Sequence, residues 1–226
     1  IKDIIMRSLY LEAINIEKAF DGSGTILRDI NLCLNNGESI SITAPSGRGK
    51  STLLSVMGLL LRPTKGEILL DGRNISGLSD KEKAAVRNKH FGFVFQSAQL
   101  IGSLTALENT CVPALLAGEK KTERALELLE QFGMKERANY YPHQLSIGQL
   151  RRLSVARAML MDAPFIFADE PTNDLDPENS QVIMDYLLDI PNQGRSLILV
   201  THDAEFASKT NKQYLLNDSG TLSLNK

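Results

Sequence analysis

The sequence has no tryptophan, only two cysteines and three histidines, and no long apolar run. Each scarcity removes a class of protein. Cys33 and Cys111 lie far apart, with no C-x-x-C spacing and no histidine cluster nearby, so neither a disulfide framework nor a zinc site is expected and a reducing compartment fits. No stretch of about 18 apolar residues could span a bilayer, and no basic, apolar, small-residue succession marks a signal peptide. Any work at a membrane therefore calls for a second polypeptide, without direct insertion of this chain. Lys and Arg total 25 against 27 Asp and Glu, which lacks the basic excess of a nucleic-acid binder, so no nucleic-acid partner is expected. What remains is ordinary: 226 residues, 42% hydrophobic and 23% charged, enough for one domain with a sizeable core or one domain with a large insertion. Ile1 to Ile5 read as sequence upstream of a start at Met6.

The first 75 residues are β-rich, with strand patterns at Leu9 to Ile16, Ile26 to Leu34, Ser39 to Thr43 and Glu67 to Leu70, the last closed by Asp71-Gly72. One helix interrupts them, predicted over Lys50 to Leu61 from the spacing of Leu53, Leu54, Met57, Leu60 and Leu61 before Arg62-Pro63. Ser79 and Glu82 make a capping box for a helix to about Asn88, followed by a strand at Phe91 to Phe95. From Thr105 to Met161 the pattern is helical; Thr122 to Phe132 is the clearest case, with Ala125, Leu126, Leu128, Leu129 and Phe132 on its apolar side and Gly133 as a stop. Short apolar strands return at Phe165 to Ala168 and Ser196 to Val200, on either side of a helix of about Ser180 to Leu188, which suggests a parallel crossover. A hairpin of Gln213 to Leu216 and Thr221 to Leu224 closes the chain. No internal repeat is present.

Between the strand ending at Thr43 and the helix at Lys50 stands Ala44-Pro45-Ser46-Gly47-Arg48-Gly49-Lys50-Ser51. Here glycines allow backbone N–H groups to converge on phosphate oxygens, a helix N-terminus adds its positive dipole end, Lys50 bridges phosphates, and Ser51 can ligate Mg²⁺. Thr52 follows in the same cofactor-binding set. Ala44 departs from the strict motif, which has glycine there, but a strand exit needs no positive φ. A plain glycine turn is the competing reading. Strand Phe165 to Ala168 delivers Asp169-Glu170 at its tip, where Asp169 can hold Mg²⁺ through water and Glu170 can act as general base on the attacking water. Gln96 ends one strand and can reach the metal or the water; His202 follows another and can hydrogen-bond the γ-phosphate. Alone, Gln96 is a polar cap, His202 a surface residue and the acid pair a solvated strand end. Four strand tips presenting Lys50, Gln96, Asp169-Glu170 and His202 together point to nucleotide hydrolysis.

At Leu145-Ser146-Ile147-Gly148-Gln149, followed by Leu150 to Ala158, the chain resembles the signature motif of ABC-transporter ATPase subunits. The likeness extends along nearly the whole chain. It implies an aromatic residue, Phe20, for stacking adenine (a core aromatic is the alternative), a phosphate loop at 44–51, Gln96, the signature at 145–149, Asp169-Glu170, a loop of Asn173-Asp174-Leu175-Asp176 that adds Asp176 to the nucleotide site, and His202. The implied fold class is α/β: a P-loop NTPase core, a mixed sheet with helices on both faces and an N-terminal antiparallel β subdomain, carrying a helical insertion specific to the family. Its expected division is 8–96 with 161–226 for the β-rich and core parts and 97–160 for the helical part.

The resemblance implies two cassettes facing head to tail, with ATP and Mg²⁺ between one phosphate loop and the other's signature. Ser146, the Gly148 N–H and Gln149 then stand near a helix start expected at about Gln149, a second anion site for the γ-phosphate. The second cassette is an identical copy in the favoured reading and a near twin in the other. A permease is the implied membrane partner, which would hold the chain peripherally on the cytoplasmic face. Ile147 and Asp174 depart from the family pattern, where a glycine and a small or amide residue are usual. The stretch Gly92 to Gln96, Leu104 to Asn109 and Val112-Pro113 resembles the macrolide-export and lipoprotein-releasing group, which favours export or membrane extraction of a peptide, lipoprotein or drug-like substrate. Leu100, Ile101, Leu104 and Leu107 line a permease-facing groove in one reading and form subdomain core in the other. A DNA-repair relative is disfavoured because only 96 positions separate Lys50 from Ser146. A two-cassette translation factor does not fit a single cassette. A nucleotide-gated module that signals without turnover is the remaining rival.

Overall fold

The computed structural model describes residues 9–22, 24–45 and 47–225. The expectations for Ile1 to Ile5 and for Ser46 lie outside them. Among the described residues, ten strands and seven α-helices follow in the order β1 (Tyr10–Phe20), β2 (Gly24–Asn35), β3 (Ser39–Thr43), α1 (Lys50–Met57), β4 (Lys65–Leu70), β5 (Arg73–Asn74), α2 (Asp80–His90), β6 (Phe91–Val94), α3 (Ala106–Ala117), α4 (Thr122–Gln131), α5 (Ile147–Met159), β7 (Phe165–Asp169), α6 (Pro177–Leu188), β8 (Ser196–Val200), α7 (Ala204–Ser208), β9 (Lys212–Leu216) and β10 (Leu222–Leu224). A four-stranded sheet runs β2-β1-β4-β5, and a six-stranded sheet runs β10-β9-β3-β8-β7-β6. The first is antiparallel throughout. In the second, β9, β3, β8, β7 and β6 are mutually parallel and only β10 runs against them.

Alternation along β7 shows why its sequence is an unbroken apolar run. Phe165 and Phe167 enter one core with α1 and the antiparallel sheet, while Ile166 and Ala168 enter the other with α3, α4, α5 and α6. Both faces of this strand are covered, so no polar alternation is tolerated. Each of the two fully buried phenylalanines stabilises the fold by about 1.5–3 kcal/mol.

Several element ends differ from the sequence expectation, each for a local reason. Helix α1 stops at Met57, not Leu61. Gly58 caps it, and a Cβ there would stand 2.5 Å from the Phe93 ring, while Leu59 at φ 58° turns the chain out of the helix. Helix α5 starts at Ile147, two residues before the expected point, because the Ser146 hydroxyl accepts from the Gln149 amide and the Gln149 side chain accepts from the Ser146 amide. Helix α6 starts at Pro177, three residues early, with Asp176 as its cap and proline in the first helical position. Leu126, expected on the apolar side of α4, is exposed. The expected capping box and closing hairpin need no such revision: Ser79 and Glu82 cap α2, and β9 pairs antiparallel with β10, while Asp71 and Gly72, both at positive φ, close β4 as expected.

Candidate functional site

Because β3, β8, β7 and β6 are parallel neighbours, their C-terminal ends share one edge of the sheet. Lys50, His202, Asp169-Glu170 and Gln96 follow those four ends. A cleft of about 280 Å³ opens there, lined by Gly47, Gly49, Lys50, Ser51, Thr52, Gln96 and Glu170, with Ile26 of β2 as its apolar wall.

Residues 44–45 and 47–49 belong to the loop from β3 into α1. Gly47 and Gly49 take φ of 78° and 92°, and a Cβ on Gly49 would stand 2.5 Å from Ile26 Cγ2. Ala44 is buried and keeps an ordinary negative φ, so alanine costs the loop nothing. Lys50 is buried; its Nζ donates to the carbonyls of Ala44 at 2.7 Å and Pro45 at 3.4 Å and lies 3.6 Å from Glu170 Oε1. Its charge is therefore held at the centre of the loop. Arg48 points elsewhere, pairing with Asp218 on the β9–β10 turn at 3.0 Å.

Glu170 sits at φ 44°, an unusual backbone for a side chain that is not glycine. Its Oε2 accepts from the His202 amide at 3.2 Å and lies 2.8 Å from His202 Nδ1. Lys50 on one side and His202 on the other fix this carboxylate over the cleft. His202, expected on the γ-phosphate, thus spends Nδ1 on Glu170. Asp169 is buried, and burial is the main reason its pKa is raised; the Ser51 hydrogen bond and the Lys50 charge oppose that rise, while Glu170 adds to it.

Asp169 Oδ1 is buried without a hydrogen-bond partner among the described residues. A buried carboxylate oxygen beside the Ser51 hydroxyl, with the Gln96 amide on the same cleft, is a hard oxygen donor set that fits Mg²⁺. Among the described residues, no cluster of three His, Cys, Asp or Glu side chains could hold a metal by itself. Phosphate oxygens and water would have to complete such a shell, as is usual for Mg²⁺.

The other expected residues lie outside this cleft. Phe20 ends β1 and is 38% exposed with Lys18 Nζ 4.8 Å from its ring centroid, so it is a surface ring and not the core aromatic of the alternative reading. Ser146 caps α5 and Gly148 and Gln149 stand in its first turn, where the Gln149 amide is held by the Ser146 hydroxyl and the amides of Ile147 and Gly148 come too early in the helix for a backbone acceptor. Gln149 is occupied in the cap, and Ile147 is 60% exposed. Asp176, expected to bind nucleotide, accepts from the Asn179 backbone at 2.9 Å and side chain at 2.7 Å, which lowers its pKa. Asp174 stands at φ 63°, its carboxylate accepting from Asn173.

The groove beside Gln96 is larger, about 590 Å³, and lies between α2, β6, α3 and α5. Leu60, Phe91, Phe93, Val112, Leu116 and Met161 are among its walls; Leu100, Ile101, Leu104 and Leu107 are not. Leu100 and Leu107 pack against the helical core, and Ile101 is exposed. Sequence reasoning missed Ile26, Arg151, Asn179 and Asp218. Only Asn179 carried a usable signal, the Asp-x-x-Asn spacing of a helix cap.

The family model described as "ABC transporter" matches residues 27–173. The lipoprotein-releasing system ATP-binding protein LolD of Bacteroides fragilis is 42% identical over 95% of this chain and 100% of its own length. The macrolide export ATP-binding/permease protein MacB of Bartonella henselae is also 42% identical, over 86% of this chain but only 30% of that longer protein. Among solved structures, the dimeric ATP-binding cassette MJ0796 in a post-hydrolysis state bound to ADP and Pi superposes with a TM-score of 0.88 at 36% identity, covering 96% of this chain and 99% of that one.

Proposed function

The chain belongs to the ABC transporter family of ATP-binding cassettes, and from that premise we propose that it drives a separate membrane permease by closing on ATP with a second cassette and opening after hydrolysis. It is an ATP-binding, ATP-hydrolysing subunit. The observation that carries the proposed mechanism is the position of Glu170, buried between Lys50 and His202 on the cleft that the phosphate loop lines.

In this reading the loop amides and Lys50 hold the β and γ phosphates, and Phe20 stacks on adenine. Ser51, Asp169 and Gln96 would hold Mg²⁺, which when bound neutralises charge on the phosphate oxygens. Glu170 accepts a proton from the attacking water. His202 orients that carboxylate through Nδ1 and through its own amide. The α5 N-terminus, Ser146 with the amides of Ile147 and Gly148, reaches the γ-phosphate bound to the partner cassette, so hydrolysis weakens the seam it had closed.

Among the described residues, no helix is long and apolar enough to cross a membrane. The 590 Å³ groove, apolar and next to Gln96, is the proposed seat for the permease and would hold the cassette on the cytoplasmic face. Two identical copies are the simplest assembly, since the solved neighbour is a dimer. The relatives named for lipoprotein release and macrolide export favour extraction or export of an amphipathic cargo. The test is ATP-dependent association: a Glu170→Gln chain is expected to sediment as a dimer in saturating ATP and as a monomer without it. A monomer under both conditions, with or without a permease, would remove the mechanism.

A further inference from the structure

Arg151 on α5 is 5% exposed, and no carboxylate lies within salt-bridge distance of it among the described residues. Its guanidinium goes to two backbone carbonyls: Nη1 donates to Phe95 O at 2.6 Å and Nη2 to Asn173 O at 3.4 Å. Neither acceptor is incidental. Phe95 immediately precedes Gln96, which lines the cleft. Asn173 donates its own amide to Glu170 O at 3.1 Å and precedes Asp174. One side chain therefore ties the Gln96 loop and the Glu170 loop to the helix that Ser146 caps.

Burying a guanidinium without a carboxylate is unfavourable, and a leucine would fill such a site with less penalty. What an apolar side chain lacks is a planar fork that reaches two separate loops at once. Farther along α5, Arg157 makes a contrasting contact, donating to Ala98 O and Gln99 O, both on the single Gln96 loop. Desolvation lowers the pKa of both arginines, with only Asp174 opposing it at Arg151. That leaves the hydrogen bonds as their function in the fold.

We infer that Arg151 is a positioning residue for hydrolysis: it makes the α5 N-terminus, the Gln96 loop and the Glu170–Asp174 loop move as one body, so that closure on the partner's nucleotide and alignment of the general base are a single event. The inference rests on the functional reading above.

The test compares Arg151→Lys with Arg157→Lys in the full chain. Lysine keeps charge and stem but reaches one carbonyl at a time. Arg151→Lys is expected to lower kcat by about ten- to a hundredfold with KM for ATP within about twofold, the pattern of a displaced catalytic group. Arg157→Lys is expected to lose no more than about threefold, because it spans only one loop. Native-state amide exchange gives a reading independent of turnover: Arg151→Lys should speed exchange at both 95–99 and 170–176, and Arg157→Lys at 95–99 alone. Equal kcat losses in the two variants, or exchange unchanged at 170–176, would overturn the inference. Wild-type chain that turns over ATP beside an unaffected Arg151→Lys sinks this inference alone, whereas wild-type chain that never hydrolyses ATP sinks the functional reading and this inference with it.

Discussion

Asn179 lies so close to Gly148 that a methyl group on the glycine would stand 2.8 Å from the Asn179 side chain. The carboxamide has little room to yield, because its Nδ2 donates to Asp176. Gly148 is therefore small for the sake of a helix-to-helix contact within its own chain, while Ile147 beside it projects outward and tolerates bulk.

Gly148→Ala should destabilise the fold. Helix propensity favours alanine by about 0.5–1 kcal/mol, but overpacking costs about 1–3 kcal/mol and wins. In the double variant with Asn179→Ala the clash is gone, so the two losses should fall short of additivity by about 0.5–3 kcal/mol. Denaturant titration of the four species measures the difference, and strict additivity would contradict the contact.

Glu170→Gln keeps the shape but not the base. Turnover is expected to fall by about 10²- to 10⁴-fold. Phosphate release in excess Mg-ATP is the measurement, and an unchanged rate would exclude the proposed proton acceptor.

The two small residues of the phosphate loop should respond differently. Gly49→Ala forces a Cβ onto Ile26 at φ 92° and is expected to cost about 1–3 kcal/mol and most nucleotide affinity. Ala44→Gly should change affinity by less than about twofold, since its φ is already ordinary and only about 0.4–1 kcal/mol of unfolded-state entropy is at stake. Fluorescent-nucleotide titration of each variant separates the cases.

Acid should act on two sets of carboxylates in opposite directions. Hydrogen bonds to the charged form lower the pKa of Glu82, Glu108 and Asp176, so the stability they contribute is present above their ordinary values of 4.5, 4.5 and 3.8 and is lost as pH falls through the lower folded values. Asp169 is raised by burial, so between 3.8 and its higher folded value the folded chain binds the extra proton and stability falls as pH rises. Mg²⁺ needs the deprotonated form. Stabilisation by Mg-ATP, read from thermal midpoints across acidic pH, should therefore increase with pH over that same interval, and Asp169→Asn should flatten it.

Much of this site was legible in the sequence because its chemistry depends on local order. Strand, glycine loop, Lys50 and helix follow one another directly, and each parallel strand announces its tip with a polar residue after an apolar run. What escaped was whatever depends on distant neighbours. Nothing near Met57 foretells that Phe93 will sit against Gly58, and nothing near Arg48 foretells Asp218. The helix starts at Ile147 and Pro177 do carry local signals, a Ser-x-x-Gln box at Ser146 and an Asp-Pro step at Asp176. Of the two readings of the apolar residues after Gln96, subdomain core holds for Leu100 and Leu107, and the groove walls come instead from α2, β6, the end of α3 and α5.

The strand that launches the phosphate loop is β3, and its two neighbours are β8 and β9, paired through Ser41 with Leu199 and Gln213. Both partners emerge from the ribosome more than 150 residues after β3 itself. Until then β3 has no hydrogen-bonded flank, and pairing of such high sequence separation is slow. Nascent chains arrested before residue 196 should be unable to retain nucleotide, so ligand capture waits until both flanking strands have been made.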